Sequence, residues 1–267
     1  MELIKIRPLV ARLSEEVLGI TRNEKIPGLA VLLGAPDPDA IFYADSILKT
    51  AEKLNIDAKL FNYSKEDEFI GLIKGNELAG FGGILALSPY PDKMDENRLQ
   101  IIPPHKDVDC ITHVRIGELN SGVSKLAPAT AAAVIEIIDH FRGDITGARV
   151  TVVGRSLRVG KPLMPLLLQR NATVTLCHSR TKNLEERTAE ADIVITAIGK
   201  AELLTREFFS DGQIIIDVGI NRTDDGFTGD VRRKDLKEMD ISITKVPGGV
   251  GTVTTMMIFK NLLELVI

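Results

Sequence analysis

Four short runs rich in β-branched residues constrain this chain more than any other feature. They are RVTVVG (149–154), TVTLCHS (173–179), DIVITAIG (192–199) and QIIIDVGI (213–220), each bounded by turn residues. Near-continuous apolar strands, unlike alternating ones, are buried on both faces, which happens in parallel sheets covered by helices. The first half has the same rhythm. GLAVLLGA (28–35), AKLFNYS (58–64) and GGILALSPYP (82–91) read as strands, separated by helical patterns over 40–56 and 65–80. Strand–helix alternation means βαβ units. The expected fold class is therefore α/β, in two domains.

The break between the two series falls near 122–127, just before the helix-forming run ATAAAVIEIIDHF (129–141). Residues 1–125 are assigned to a first domain and 126–251 to a second of Rossmann type. The apolar segment TVTTMMIFKNLLELVI (252–267) reads as a closing helix. A length of 267 residues suits one large or two modest domains.

Several function classes are disfavoured. Lys and Arg number 33 against 37 Asp and Glu, a net charge of −4, whereas a nucleic-acid binder needs a basic face. Trp is absent and aromatics make up 4%, too few for a base-stacking platform. Cys110 and Cys177 form no CxxC, and the four histidines form no i, i+4 pair, so neither a disulfide framework nor a metal site is expected. The opening MELIKIRPLVARLSEEV carries acids early and does not read as a signal peptide, and no apolar run reaches the length of a membrane span. A cytoplasmic protein with no nucleic-acid or membrane partner is expected.

The segment VTVVGRSLRVGKPL (150–163) puts Gly154 at a strand end and Gly160 six residues on, before helix formers. Glycines there let backbone N–H groups approach a pyrophosphate at a helix N-terminus. The spacing is not G-x-G-x-x-G, and a tight strand-to-helix turn without ligand would look the same. The second strand of the series is more telling. An NAD site ends that strand in Asp or Glu, which holds the ribose 2′-hydroxyl. Here it ends CHSRT, with Ser179 and Arg180 and no carboxylate. Ser and Arg can bind a 2′-phosphate that an acid would repel, and Arg155 and Arg158 add positive charge in the first loop. NADP is therefore expected over NAD, although Arg158 and Arg180 read equally well as solvated charge.

The runs GRSLRVGKP, NATVTLCHSRT, ADIVITAIGK, IIIDVGINR, GFTGDV and VPGGVGTVTT occur in this order. By them the chain resembles the methylenetetrahydrofolate dehydrogenase/cyclohydrolase family over nearly its whole length, most densely from 147 to 255. The resemblance implies a homodimer of two-domain α/β subunits, folate bound in the cleft between domains, and a final helix returning to the N-terminal domain. It also implies a cofactor site of Gly154, Arg155, Ser156, Val159, Gly160, Ser179 and Ile220, with Arg155 and Ser179 on the 2′-phosphate. Pro247, Gly248 and Gly249 would lie near nicotinamide and substrate, and Tyr43 and Asp109 would serve as substrate-binding and catalytic residues.

The first half departs from the family pattern. The family's Y-x-x-x-K helix supplies Tyr43 here but Ile47 in place of the lysine. Lys49, six residues from Tyr43, faces elsewhere at about 100° per residue. The family's GILVQLPLP reads GILALSPYP, putting Leu87 where a glutamine partners that lysine, and KDVDG reads KDVDC, keeping Asp109. In the family the lysine manages the water that opens the methenyl ring. Isoleucine cannot donate, accept or carry charge. Hydride transfer asks less of such a group. The sequence thus predicts NADP-dependent oxidation of 5,10-methylenetetrahydrofolate to the 5,10-methenyl form, with the cyclohydrolase step to 10-formyltetrahydrofolate severely reduced. Two other readings stand beside it, a cofactor-binding regulatory relic without turnover and a dehydrogenase of another pterin. Tyr43 as a packed aromatic, Asp109 as a loop acid, and His178, Asp107 and Asp230 as structural residues are the plainer readings of those side chains.

Overall fold

The computed structural model describes residues 1–34, 37–91, 94–124 and 126–267. In chain order the elements are β1 (Glu2–Leu3), α1 (Arg7–Thr21), β2 (Gly28–Leu33), α2 (Pro38–Lys53), β3 (Ala58–Asn62), α3 (Glu66–Lys74) and β4 (Phe81–Leu87). They continue with α4 (His113–Ser121), α5 (Ala129–Phe141), β5 (Arg149–Val153), α6 (Gly160–Leu168), β6 (Thr173–Cys177) and α7 (Leu184–Ala189). The last are β7 (Ile193–Thr196), β8 (Ile214–Asp217), β9 (Asn221–Thr223), β10 (Gly226–Thr228), β11 (Ser242–Ile243) and α8 (Val250–Val266).

The chain divides into two compact units. One comprises Met1–Ala11 with Thr130–Thr254, the other Arg12–Ala129 with Thr255–Ile267. The expected assignment of 1–125 to the first domain needs correction at its start. β1 pairs in parallel with β11 (Glu2 with Ser242, Leu3 with Ile243), and the Met1 ammonium donates to the Met239 carbonyl at 2.6 Å. Those bonds tie the N-terminal strand to the second series. The expected first-domain boundary at Lys125 and the last residue of the expected strand 28–35, Ala35, lie outside the described residues.

In the unit of Arg12–Ala129, the described residues form a three-stranded parallel sheet in the order β3-β2-β4. Every residue of the central β2 is buried. α2 begins where Asp37 accepts from the backbone N–H groups of Asp39 (2.7 Å) and Ala40 (3.0 Å), with Pro38 opening the helix. Such a cap satisfies donors that a helix start otherwise leaves unpaired. Its inner face is Ala40, Ala44, Ile47 and Ala51, at helical spacing. α3 adds the fully buried Phe69 to a core with Leu32, Phe61, Ile84 and Leu99. α8 returns to this unit through the buried Asn261, whose amide donates to the carbonyls of Val108 (2.8 Å) and Ala127 (2.9 Å).

In the other unit the described residues form a six-stranded parallel sheet in the order β1-β11-β8-β7-β5-β6. From β5 the chain steps outward to β6 and then back to β7 on the other side. That reversal opens a crevice at the carboxyl ends of β5 and β7, the place where open α/β sheets bind ligands. β7 and β8 are buried throughout and β5 nearly so, whereas β6 is exposed or half-buried at four of five positions. Burial of β6 on both faces, expected from its composition, is therefore corrected. It is an edge strand, with a neighbour on one side only among the described residues.

Candidate functional site

The crevice is shaped by two glycines that tolerate no side chain. Gly154 leaves β5 with φ +134°, a conformation L side chains rarely adopt. A Cβ there would lie 2.9 Å from the carbonyl carbon of Ala197 and closer still to its oxygen. A Cβ on Gly160 would lie 2.5 Å from the Gly154 carbonyl carbon and 3.0 Å from the Cα of Arg155. The first turn of α6 thus folds directly onto the end of β5. Ser156 Oγ accepts from the Val159 N–H at 3.2 Å, and the Ser156 carbonyl accepts from Lys161 N–H at 3.1 Å. The hydroxyl proton of Ser156 remains available to a phosphate oxygen. Arg155, Ser156 and Leu157 are exposed, so the loop presents a cation and a hydroxyl at a helix N-terminus.

β6 runs beside β5 with Val153 opposite Cys177, which places Ser179 next to that loop. The turn is set locally. His178 N–H donates to Thr181 Oγ1 (2.9 Å), Thr181 N–H to the His178 carbonyl (2.8 Å), and Arg180 N–H to His178 Nδ1 (3.1 Å). His178 is a turn-former here. Ser179 and Arg180 are exposed and no carboxylate ends the strand, which suits a 2′-phosphate better than a free ribose hydroxyl. The cradle, the N-terminus of α6 and this donor set fit a dinucleotide.

Ile220, more than half exposed, follows β8. A Cβ on Gly251 would sit 3.3 Å from Ile220 Cδ1, so the first turn of α8, just after Pro247, Gly248 and Gly249, reaches Ile220. Gly248 has φ +93°. Gly154, Arg155, Ser156, Val159, Gly160 and Ser179 are thus grouped around β5 and β6. Ile220 and the Pro247–Gly249 loop form a second group beyond β8.

Two buried carboxylates hold these parts in place: Asp230, which the sequence offered as a structural residue, and Asp217, which sequence reasoning passed over. Asp230 is fully buried and accepts four hydrogen bonds, from the N–H groups of Ile198 (2.6 Å), Gly199 (3.3 Å) and Lys200 (3.0 Å) and from Asn221 Nδ2 (3.0 Å). Asp217, at the end of β8, accepts from Thr196 Oγ1 (3.1 Å) and from the N–H groups of Gly219 (3.1 Å), Asp230 (3.0 Å) and Val231 (3.0 Å). Burial raises its pKa to about 6, against the lowering effect of those backbone donors, and the neighbouring Asp230 charge adds to the rise. The adjacent glycines leave the room. A Cβ on Gly219 would lie 2.8 Å from Asp230 Oδ2, and one on Gly229 2.6 Å from Asp217 Cγ. The signal in the sequence was the pairing of D-V-G with T-G-D-V, each acid flanked by a glycine that the other acid requires.

In the other unit, Tyr43 is half-buried on α2 and Asp109 half-buried in the loop after β4, beyond the bridge of Asp107 to Ile84. Asp107 is buried and its Oδ2 accepts from Thr112 N–H at 2.8 Å, a loop-forming role. Cys110 follows at φ +50°, the left-handed region that favours glycine. Its buried thiol, raised well above the ordinary range by burial, lies 3.8 Å from the Asn261 amide. Ile47 is fully buried, Leu87 is 4% exposed, and Lys49 is exposed on another face of α2. Ser88, the neighbour of Leu87, is exposed. Among the described residues no group of three or more His, Cys, Asp or Glu could hold a metal, and no helix is long and apolar enough to cross a membrane.

The comparisons agree with this geometry. Residues 5–109 match the tetrahydrofolate dehydrogenase/cyclohydrolase catalytic domain, and residues 128–267 the NAD(P)-binding domain of the same family. The bifunctional protein FolD of Clostridium botulinum is 42% identical over 246 residues, covering 90% of this chain and 87% of that protein. The crystal structure of the bifunctional methylenetetrahydrofolate dehydrogenase/cyclohydrolase FolD from Campylobacter jejuni superposes with a TM-score of 0.92 at 32% identity, over 99% of this chain and 98% of the other. The Trypanosoma brucei enzyme, solved with NADP cofactor and an inhibitor, gives a TM-score of 0.87 at 30% identity over 97% and 93% of the two chains. With both halves matched in order, and with the glycine cradle at the sheet's reversal point, the chain belongs to the tetrahydrofolate dehydrogenase/cyclohydrolase family.

Proposed function

We propose that this protein oxidises 5,10-methylenetetrahydrofolate to 5,10-methenyltetrahydrofolate with NADP⁺, and that its cyclohydrolase step is severely reduced. Bound NADP⁺ supplies the hydride acceptor. The loop of Gly154 to Gly160 takes the pyrophosphate on backbone N–H groups, and Arg155 and Ser179 take the 2′-phosphate. Tyr43 and Asp109 bind and orient the pterin, Asp109 by accepting from its N–H groups. Ile220 and Pro247–Gly249 line the nicotinamide end.

The observation that carries the second half of the proposal is the burial of Ile47, which is 0% exposed, with Leu87 at 4%. Neither can hold or move a proton, and both are packed as apolar residues rather than left facing water. The exposed Lys49 stands on another face of α2 and does not replace a group at position 47. The intact glycine cradle at the end of β5 disfavours a relic reading. The reading carries a cytoplasmic homodimer, and a monomer by light scattering at assay concentration would contradict that part. NADPH formation with methylenetetrahydrofolate as substrate tests the dehydrogenase. No turnover by a folded, NADP-binding preparation would leave the relic.

A further inference from the structure

The turn after β7 is a concave run of three consecutive N–H groups, those of Ile198, Gly199 and Lys200. Such a run is an anion site. In this protein its anion is internal: the Asp230 carboxylate fills it and takes Asn221 Nδ2 on the same oxygen as Lys200 N–H. The backbone of Asp230 is fixed in turn. Its N–H donates to Asp217 Oδ1, and its carbonyl accepts from Leu204 N–H at 2.9 Å. The turn it holds begins at Ala197, which packs against Gly154 as the far wall of the cradle, and Asn221 directly follows Ile220. One buried side chain therefore sets two walls, one after β7 and one after β8.

We propose that Asp230 is a positioning residue for the dinucleotide. It occupies the amide run after β7, so that a pyrophosphate is directed to the α6 loop alone, and it holds the Ala197 and Ile220 walls at the spacing the cofactor requires. The inference rests on the cofactor site assigned above. Asparagine at this position would keep the shape but set an NH₂ group against the donors Lys200 N–H and Asn221 Nδ2. Exchanging the pair, with Asp230→Asn and Asn221→Asp together, restores a carboxylate partner for the new amide and leaves only Lys200 N–H unpaired.

The test is fluorescence titration with NADPH and, separately, titration with tetrahydrofolate, on the full chain. Asp230→Asn is expected to weaken NADPH roughly ten- to a hundredfold, the range for losing hydrogen bonds to a charged group, with tetrahydrofolate affinity within about twofold. The exchanged pair is expected to recover most of the NADPH loss. If Asp230→Asn does not fold, Asn221→Ala decides. It removes one of the four bonds and is expected to weaken NADPH several-fold with tetrahydrofolate unmoved. A lower melting temperature with NADPH affinity unchanged would overturn the proposal, as would equal weakening of both ligands. Arg155→Ala run beside these variants separates the two levels. If it weakens NADPH and Asp230→Asn does not, only the positioning role fails. If neither changes NADPH, the cofactor site itself is misassigned.

Discussion

Replacing Gly160 by alanine is a one-carbon probe of the cofactor cradle. The added Cβ would stand 2.5 Å from the carbonyl carbon of Gly154, where ordinary contact begins near 3.4 Å. The obstructing atoms belong to the backbone, Arg155 Cα at 3.0 Å among them, and no side chain can swing aside. The strand end and the first turn of α6 must separate by at least 3.4 − 2.5 = 0.9 Å. Overpacking of that kind costs about 1–3 kcal/mol of stability. A displacement of this size also moves the loop amides out of hydrogen-bonding distance of a bound phosphate. Losing one charge-assisted bond, about 1.5–3 kcal/mol, corresponds to roughly a ten- to hundredfold weaker Kd for NADP⁺. Calorimetric titration with NADP⁺, paired with a thermal melt of the free protein, reads both effects. A folded Gly160→Ala protein that binds NADP⁺ as the parent does would refute the assignment of this loop to the pyrophosphate.

Arg155→Ala should raise the Michaelis constant for NADP⁺ by roughly ten- to a hundredfold and leave that for NAD⁺ nearly unchanged, since only NADP⁺ carries the 2′-phosphate. Equal use of both cofactors by the parent enzyme would contradict it. The Asp217 carboxyl should titrate near pH 6 in a carbon-13 NMR pH series, against an ordinary value of 3.8. Because the unfolded chain releases that proton first, the contribution of Asp217 to stability is fully present below pH 3.8 and is lost as pH rises from there through 6. That contribution amounts to about 3 kcal/mol. A midpoint near 4 would remove this contribution.

The strands of the second half were legible because burial on both faces of a parallel sheet writes itself as unbroken apolar runs, as in Ile193–Thr196 and Ile214–Asp217. The cradle was legible because Gly154 and Gly160 bracket a helix start. The pairing of β1 with β11 was not, since two-residue strands 240 positions apart carry no local pattern (Glu2 with Ser242). α1 was legible in principle, through Leu9, Leu13 and Val17 at four-residue spacing, all fully buried. Asp230 read as a turn acid because its four donors come from segments nine and about thirty residues away, brought together only by the sheet. Asp107 shows the opposite case: its role is local, in a bond to Thr112 five residues on.

The central claim is that one preparation of this protein makes methenyltetrahydrofolate and cannot efficiently consume it. The direct measurement follows NADPH formation from methylenetetrahydrofolate and, on the same protein, the loss of added methenyltetrahydrofolate against the no-enzyme rate in the same buffer. The account predicts clear NADPH formation with methenyltetrahydrofolate accumulating. The cyclohydrolase rate should fall below that of a lysine-bearing relative by roughly 10²- to 10⁴-fold, the usual cost of losing a positioned acid or base. Consumption of methenyltetrahydrofolate as fast as it is formed would contradict it and assign the water to another residue, with the exposed Ser88 beside Leu87 the first to examine.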